Sequence, residues 1–351
     1  MTLPAASGRP DGGSRPGRPR LRNVAKWLGA VAVCAALAEL GIRVLLSHAH
    51  WSPPVFRAEP LPLGYALGPG IQVQARQLGR TVQISTDPGG HRRTVGTPEA
   101  PGARAVHLIG DSQVFGWGLS DDETVATQLQ RSLGGSFRVV NHGVPGYGPA
   151  EYLKVLERVS ASDDVVVLLT EENDAADVYG LAQPAHVACG FIATVAHDST
   201  AACMLMQSRL VQGLFEVRHA FHHRYLMTPL GFSDHSTVAG RVLAGRANRW
   251  IAQVRQARQG RVIVTIVPWK GRYSSDWRRR YAPPPVPDPE ALPSPFTDAL
   301  GMAQAFSTHP DPMALYLPGD SHVSPEGASW LAREIARGIG TPRPTDLEEN
   351  P

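Results

Sequence analysis

Four short runs of consecutive apolar, largely β-branched residues constrain the fold of this chain more than any other feature. They are residues 105–109, 137–140, 164–169 and 261–267. The runs are continuous rather than alternating, which is typical of strands buried on both faces of a parallel sheet. Amphipathic segments lie between them, and strands that alternate with helices predict a doubly wound α/β fold. We therefore expect a three-layer α/β/α sandwich with a mainly parallel, flavodoxin-like sheet.

Other segments depart from this alternation. Residues 71–95 contain two short alternating runs that predict a small β-hairpin ahead of the sheet. The resulting domain organisation has five parts: a disordered basic tail at 1–25, a transmembrane signal-anchor helix at 26–47, a linker and β-hairpin region at 48–100, the main α/β domain at 101–340 with insertions at 178–236 and 270–296, and a disordered tail at 341–351.

The N-terminal region carries most of the imbalance of charge. Residues 1–26 hold six Lys/Arg and one acid, and the rest of the chain has 28 basic and 30 acidic residues. A basic tail on a near-neutral body indicates membrane topology rather than a nucleic-acid surface, so no nucleic-acid partner is expected.

Residues 27–46 are almost entirely apolar or small, and 20 residues are about the length that crosses a bilayer as a helix. Glu39 and Arg43 interrupt the stretch, but they are four apart and can pair on one helix face. The basic flank predicts a single-pass membrane protein whose body is extracytoplasmic. A cleaved signal peptide, with a small-x-small site at 36–38, and a buried helix of a cytosolic protein are the alternatives.

Only three cysteines are present, which excludes a disulfide-dense scaffold and a Cys₄ zinc site. Cys34 lies inside the apolar stretch. Cys189 and Cys203 are 14 residues apart in the predicted exported part, where they could form a disulfide or remain two buried thiols.

Polar residues that could carry chemistry follow the predicted strands, where parallel sheets place their ligand sites. Gly110-Asp111-Ser112 ends the first strand, Asn141-His142-Gly143 the second and Glu171-Glu172-Asn173 the third. Near the C-terminus, Asp320 and His322 precede a helix start at Ser324-Pro325. A carboxylate two residues from a histidine can hold one imidazole nitrogen while the other faces a nucleophile.

In this order, the four blocks resemble the SGNH (GDSL-type) hydrolase superfamily over about residues 70–340, and residues 110–118 are similar to its membrane-anchored, exported members. The resemblance implies a serine hydrolase with Ser112 as nucleophile, His322 as general base and Asp320 as the residue that orients it. It further implies an oxyanion hole made by the backbone N–H groups of Ser112 and Gly143 and the side-chain amide of Asn173. No cofactor and no metal are expected.

The resemblance is incomplete at the third block, because Glu171 and Glu172 stand where the family usually has a glycine.

The leading hypothesis is an exported esterase acting on acyl esters, with O-acetyl groups of an envelope polysaccharide as the expected substrate and the membrane contacted through the N-terminal helix. An O-acetyltransferase of the same fold and a catalytically weak glycan-binding or envelope module are the alternatives.

The remaining histidines receive structural interpretations. His107 is expected to be a core residue satisfied by backbone, and His142 adjoins the site without matching a family block. If residues 216–223 are helical, Glu216, His219 and His223 share one face, a spacing that metal ligands can use. Nothing else supports a metal there, and a solvated helix face explains the same residues.

Overall fold

The computed structural model describes residues 18–45, 53–60, 63–98, 102–174, 186–193, 200–222, 238–256, 258–277 and 296–340. The strands are β1 (Phe56–Ala58), β2 (Tyr65–Leu67), β3 (Gln72–Gln77), β4 (Arg80–Ser85), β5 (Arg104–Ile109), β6 (Phe137–Asn141), β7 (Asp164–Thr170), β8 (His186–Ala188), β9 (Phe191–Ala193) and β10 (Val262–Val267). The α-helices are α1 (Arg18–Leu45), α2 (Ser112–Phe115), α3 (Val125–Leu133), α4 (Pro149–Leu156), α5 (Thr200–Gln207), α6 (Arg209–His222), α7 (Val238–Gln256), α8 (Met302–Ser307) and α9 (Pro325–Gly340). Short 3₁₀ turns lie at Lys270–Arg272 and Pro312–Leu315.

The central sheet consists of the four strands that the apolar runs predict. Their order is β10-β7-β5-β6, and every neighbouring pair is parallel. All seven residues of β7 are buried, as expected of an inner strand covered on both faces. The prediction of a mixed α/β fold with a parallel sheet is therefore confirmed.

The predicted β-hairpin is also confirmed. Strands β3 and β4 pair antiparallel, with Gln72 opposite Ser85, through a turn in which Leu78 and Gly79 have positive φ angles of 50° and 77°. Arg92, which follows the hairpin, is almost fully buried and donates from Nε to Asp121 Oδ1 at 2.8 Å. This buried ion pair ties the hairpin region to the segment between α2 and α3.

The N-terminal helix α1 begins earlier than predicted. It starts at Arg18, so residues 18–25, assigned to the basic tail from composition, are helical. The stretch Asn23–Val44 is long and apolar enough to cross a membrane, as a membrane anchor or a signal sequence would be, and none of it is buried within the protein. Arg43 Nε donates to Glu39 Oε1 at 2.7 Å, which confirms the predicted pairing on one helix face.

The chain divides into two units, residues 1–47 and 48–351. In the predicted insertion at 178–236, the described parts contain β8, β9, α5 and α6. Cys189 and Cys203 form a disulfide with Cα atoms 5.4 Å apart, and Cys34 is free. Residues 1–17 and 341–351, which belong to the two predicted tails, and residues 278–295 of the second insertion lie outside the described residues.

Candidate active site

Ser112 stands at a sharp turn from β5 into the four-residue helix α2. Asp111 caps this helix, since its Oδ1 accepts the Gln113 N–H at 2.9 Å. A side chain at Gly110 would meet the carbonyl oxygen of Leu168 at 2.8 Å, so the chain can pass β7 there only as glycine. The turn places the Ser112 hydroxyl at the carboxyl end of the sheet, where α/β folds bind ligands.

Asp320 and His322 lie on a tight loop between the second 3₁₀ turn and α9. The Leu317 N–H donates to the His322 carbonyl at 2.7 Å, and the Asp320 N–H donates to the Leu317 carbonyl at 3.2 Å. Gly319 takes a φ of 73°, a value that glycine adopts at little cost. These bonds close the loop and direct its two functional side chains to one side.

The structure brings Ser112, His322 and Asp320 into one continuous hydrogen-bonded chain. Ser112 Oγ lies 2.8 Å from His322 Nε2, and His322 Nδ1 lies 2.5 Å from Asp320 Oδ1. Asp320 Oδ1 also accepts the backbone N–H of His322 at 2.8 Å. Because an ionised carboxylate only accepts, the geometry assigns the imidazole proton to Nδ1 and leaves Nε2 to accept the serine proton. The arrangement can therefore activate a hydroxyl as a nucleophile.

Two buried side chains that the sequence does not single out hold the histidine loop in place. Gln113 Nε2 donates to the Ser321 carbonyl at 3.1 Å, and its Oε1 accepts the Val323 N–H at 3.1 Å. Lys270 Nζ donates to the carbonyls of Leu317 and Asp320 at 2.9 and 2.6 Å. Lys270 begins the 3₁₀ turn three residues after the end of β10, and this place beyond the carboxyl end of a strand was a signal that could have identified it. Nothing in the sequence indicates the long-range partners of Gln113.

The charges around His322 favour its protonated form. Burial alone would lower the pKa of His322, but the hydrogen bond and charge of Asp320, with the charges of Asp111 and Glu172, outweigh burial and raise that pKa. Burial would raise the pKa of Asp320, yet its contacts with His322 and the charge of Lys270 hold it below its ordinary value. Asp320 is thus ionised near neutral pH and able to stabilise an imidazolium.

We expect the pH dependence of kcat/KM to reflect the raised pKa of His322. His322 acts as a base only when neutral, so kcat/KM should fall as the pH drops through a pKa that lies above the ordinary histidine value. Glu172→Gln removes one of the surrounding negative charges and should move this acid limb to lower pH. Glu157→Gln, which changes an exposed carboxylate of a surface ion pair, is the matched control. An acid limb that stays in place, or moves upward, in Glu172→Gln would contradict this account.

The three predicted oxyanion donors have different partners. The Ser112 N–H has no acceptor in the part of the chain that the structure describes. The Gly143 N–H donates to Asn141 Oδ1 at 2.8 Å, and Asn173 Nδ2 donates to Asp111 Oδ2 at 3.2 Å. A substrate oxygen would therefore have to share or displace two internal acceptors, and the oxyanion role of Gly143 and Asn173 stays a prediction.

Gly143 has a second, steric role next to the nucleophile. A Cβ atom at this position would lie 2.0 Å from the Phe115 backbone nitrogen and 2.5 Å from the Val114 carbonyl carbon. We expect Gly143→Ala to displace α2, to destabilise the fold by about 1–3 kcal/mol and to lower activity, because backbone atoms cannot yield as a flexible side chain can. Thermal unfolding and ester turnover measure the two effects. Gly135→Ala, whose Cβ would meet nothing within 4 Å, should change neither.

Glu171 and Glu172, the two glutamates of the third block, lie in different surroundings. Glu171 is fully buried; its Oε2 accepts the Arg272 Nε–H at 2.6 Å and the Trp269 N–H at 2.8 Å. Its charge is therefore compensated by Arg272 rather than directed at the nucleophile. Burial raises the pKa of Glu172, against a hydrogen bond with Ser321 and the charge of His322 that lower it, so this carboxylate belongs to the surroundings of His322.

The structure tests some of the interpretations given to the other histidines. His107 is buried in β5, but its hydrogen-bond partners are side chains, His142 and Asp163, so the prediction of backbone partners is wrong. Backbone positions 216 and 219 lie in α6, whereas His223 lies outside the described residues. Among the described residues, no group of three or more His, Cys, Asp or Glu side chains is arranged to hold a metal ion.

Comparison of the sequence with protein-family models and with curated proteins finds no match. A solved crystal structure aligns with 67% of this chain and 96% of its own chain, at 14% sequence identity and a TM-score of 0.29. A likeness this weak carries no argument about fold or function.

Proposed function

We propose that the chain is a serine esterase of the SGNH class that hydrolyses acyl esters. The observation that carries the proposal is the chain of contacts from Ser112 Oγ to His322 Nε2 at 2.8 Å and from His322 Nδ1 to Asp320 Oδ1 at 2.5 Å. The parallel strand order and the placement of Ser112 after β5 support the finer assignment of a three-layer, flavodoxin-like α/β/α sandwich.

The reaction follows from the roles of these groups. His322 Nε2 takes the Ser112 proton as Oγ attacks the ester carbonyl, and the negative charge that develops on the carbonyl oxygen is met by the Ser112 N–H. The imidazolium then protonates the leaving alcohol, which departs and leaves an acyl-serine. Water repeats the sequence: His322 removes its proton, the acid leaves, and Ser112 recovers its hydrogen. Asp320 keeps the imidazole oriented and stabilises its charged form throughout.

The proposed substrate is an O-acetyl ester of a cell-envelope polysaccharide, and the proposed location is the extracytoplasmic face of a membrane. The apolar stretch Asn23–Val44 and the five arginines that precede it in residues 1–22 support an anchor or signal with the body exported. The Cys189–Cys203 disulfide supports the same location, because disulfides persist in oxidising compartments.

The location predicts a specific pattern of thiol labelling. When the full chain from its native membrane is denatured without reductant, we expect a maleimide-polyethylene glycol to add one tag, at Cys34, because only this cysteine is free. After reduction, three tags are expected. Three tags before reduction would contradict both the disulfide in the native membrane and an oxidising location.

Fluorophosphonate labelling tests the enzymatic proposal directly. The full chain in detergent should be modified at Ser112, as located by peptide mass analysis, and should release acetate from p-nitrophenyl acetate and from an O-acetylated polysaccharide. Heat-denatured protein, in which His322 no longer contacts Ser112, is the control and should not be labelled. Failure of the folded protein both to label at Ser112 and to release acetate would overturn the proposal. Acetate that appears only on an added sugar acceptor would identify a transferase instead.

A further inference from the structure

A cavity of about 470 Å³ lies at the β6 edge of the sheet; Gly143 lines it, but none of Ser112, Asp320 and His322 does. Its walls come from the ribbon of β1 and β2, the turn at residues 87–91, the face of β6 and the helix α4. This volume falls within the range of about 300–1,000 Å³ that is usual for small-molecule sites.

A line of hydrogen-bonded histidines crosses the cavity wall. His107 Nδ1 lies 2.8 Å from His142 Nε2, and His107 Nε2 lies 3.1 Å from Asp163 Oδ2. The ring of His142 packs edge-to-face on that of His91, 4.5 Å between centroids, and His91 Nδ1 lies 3.1 Å from Asp87 Oδ2. Because these ring nitrogens contact one another and two carboxylates, the wall is a polar surface rather than a metal cage.

Three arginines also line the cavity, and they differ in whether they have an ion-pair partner. Arg57 and Arg158 share a single carboxylate, Glu59, at 3.0 and 3.5 Å. Arg138 has neither a hydrogen-bond nor an ion-pair partner among the described residues. Two carboxylates, Asp87 and Asp163, also line the cavity. Asp87 contacts His91 and Asp163 contacts His107, each at 3.1 Å, and among the described residues neither forms an ion pair with Arg138.

Another part of the lining is apolar: Leu63, Leu67, Val144, Val155 and Val159. A guanidinium without a carboxylate partner, beside such a surface, matches a ligand that joins a negatively charged group to a short carbon skeleton. We propose that this cavity is a binding site for a small organic anion, a carboxylate or a phosphate, whose charge is held by Arg138. The site adjoins the proposed ester chemistry, since Gly143 lines it, but it uses none of Ser112, His322 and Asp320 and its test does not depend on ester turnover.

Calorimetric titration of the full chain in detergent tests this site. The probes are pentanoate, its neutral isostere pentanamide, and inorganic phosphate, and the protein carries Ser112→Ala so that occupancy of the nucleophile contributes no turnover. We expect at least one of the two anions to bind, with pentanamide at least about tenfold weaker than pentanoate if the carboxylate is the preferred anion. Tighter binding of phosphate than of pentanoate would assign the site to phosphate compounds, whereas the reverse would assign it to carboxylates.

Arg138→Gln should weaken binding of the preferred anion about tenfold, because a charge-assisted contact is replaced by a neutral one. Arg138 is exposed at its strand position, so the variant is expected to fold, and a thermal unfolding curve checks this. Arg333→Gln, on the exposed face of α9, is the matched control and should bind like the parent. No binding of either anion, equal affinity for pentanamide and the preferred anion, or an unchanged affinity in folded Arg138→Gln would overturn the proposal.

Discussion

Ser112→Ala is expected to lower kcat for acetyl-ester hydrolysis by about 10⁴-fold or more, with little change in stability. The substitution removes the atom that attacks the carbonyl and leaves His322 and Asp320 without a nucleophile to activate. The Ser112 side chain has one described hydrogen bond, to His322, so its loss should not unfold the protein. Initial rates with p-nitrophenyl acetate and a thermal unfolding curve measure the two effects.

The matched control for this prediction is Ser132→Ala, which removes a hydroxyl bonded to the Gln128 carbonyl on the exposed surface of α3. Its turnover should equal that of the parent protein. If folded Ser112→Ala kept its turnover, the hydrolysis would come from another group and the proposed mechanism would be wrong. Activity lost equally in both variants would point to a general effect of the preparation.

Arg272→Met should destabilise the protein by about 3–5 kcal/mol, because it leaves the buried Glu171 carboxylate without a positively charged partner. Arg272 and Glu171 have side-chain exposures of only 2% and 0%, and the guanidinium contacts the carboxylate through both Nε and Nη2. The pair joins the end of β7 to the 3₁₀ turn that carries Lys270. We therefore expect the loss of stability to be accompanied by a loosened histidine loop and by reduced turnover.

Chemical denaturation compares this variant with two others. Lys154→Met breaks an ion pair whose side chains are 42% and 62% exposed, and it should cost less than about 1 kcal/mol. The double variant Arg272→Met with Glu171→Met removes both buried charges and should recover much of the stability lost in the single variant. A cost below 1 kcal/mol in Arg272→Met would show that the buried pair contributes little.

Much of the site was predictable because parallel strands bring their carboxyl ends to one edge. Ser112, Gly143 and Asn173 each follow a strand that the apolar runs identify, and the loop of Asp320 and His322 precedes a recognisable helix start. The contacts that support them were not predictable in this way. Gln113 reaches a loop 210 residues further along the chain, and no local pattern indicates which carbonyl a buried amide will meet.

The surroundings of the two glutamates in the third block were also not predictable from the sequence. In the sequence, Glu171 and Glu172 are two adjacent acids that could disturb an oxyanion site. In the structure, Glu171 is paired with Arg272, 101 residues away, and Glu172 is near Ser321 and His322. Adjacent residues can face opposite surroundings, so their effect on the site depends on packing that the sequence does not express.

The sequence alone determined the four strands of the central sheet, that this sheet is parallel, where the hairpin of β3 and β4 lies and which N-terminal helix is apolar enough for a membrane. These properties follow from the local period of apolar residues and from turn chemistry, which act over a few residues. The sequence did not predict the short strands β1, β2, β8 and β9. Only the tertiary structure decided that Ser112 and His322 touch, that the Gly143 N–H is held by Asn141, and that Arg138 faces a cavity beside His107 and His142. Those contacts join residues distant in the chain, and their distances are set by how whole elements pack against one another.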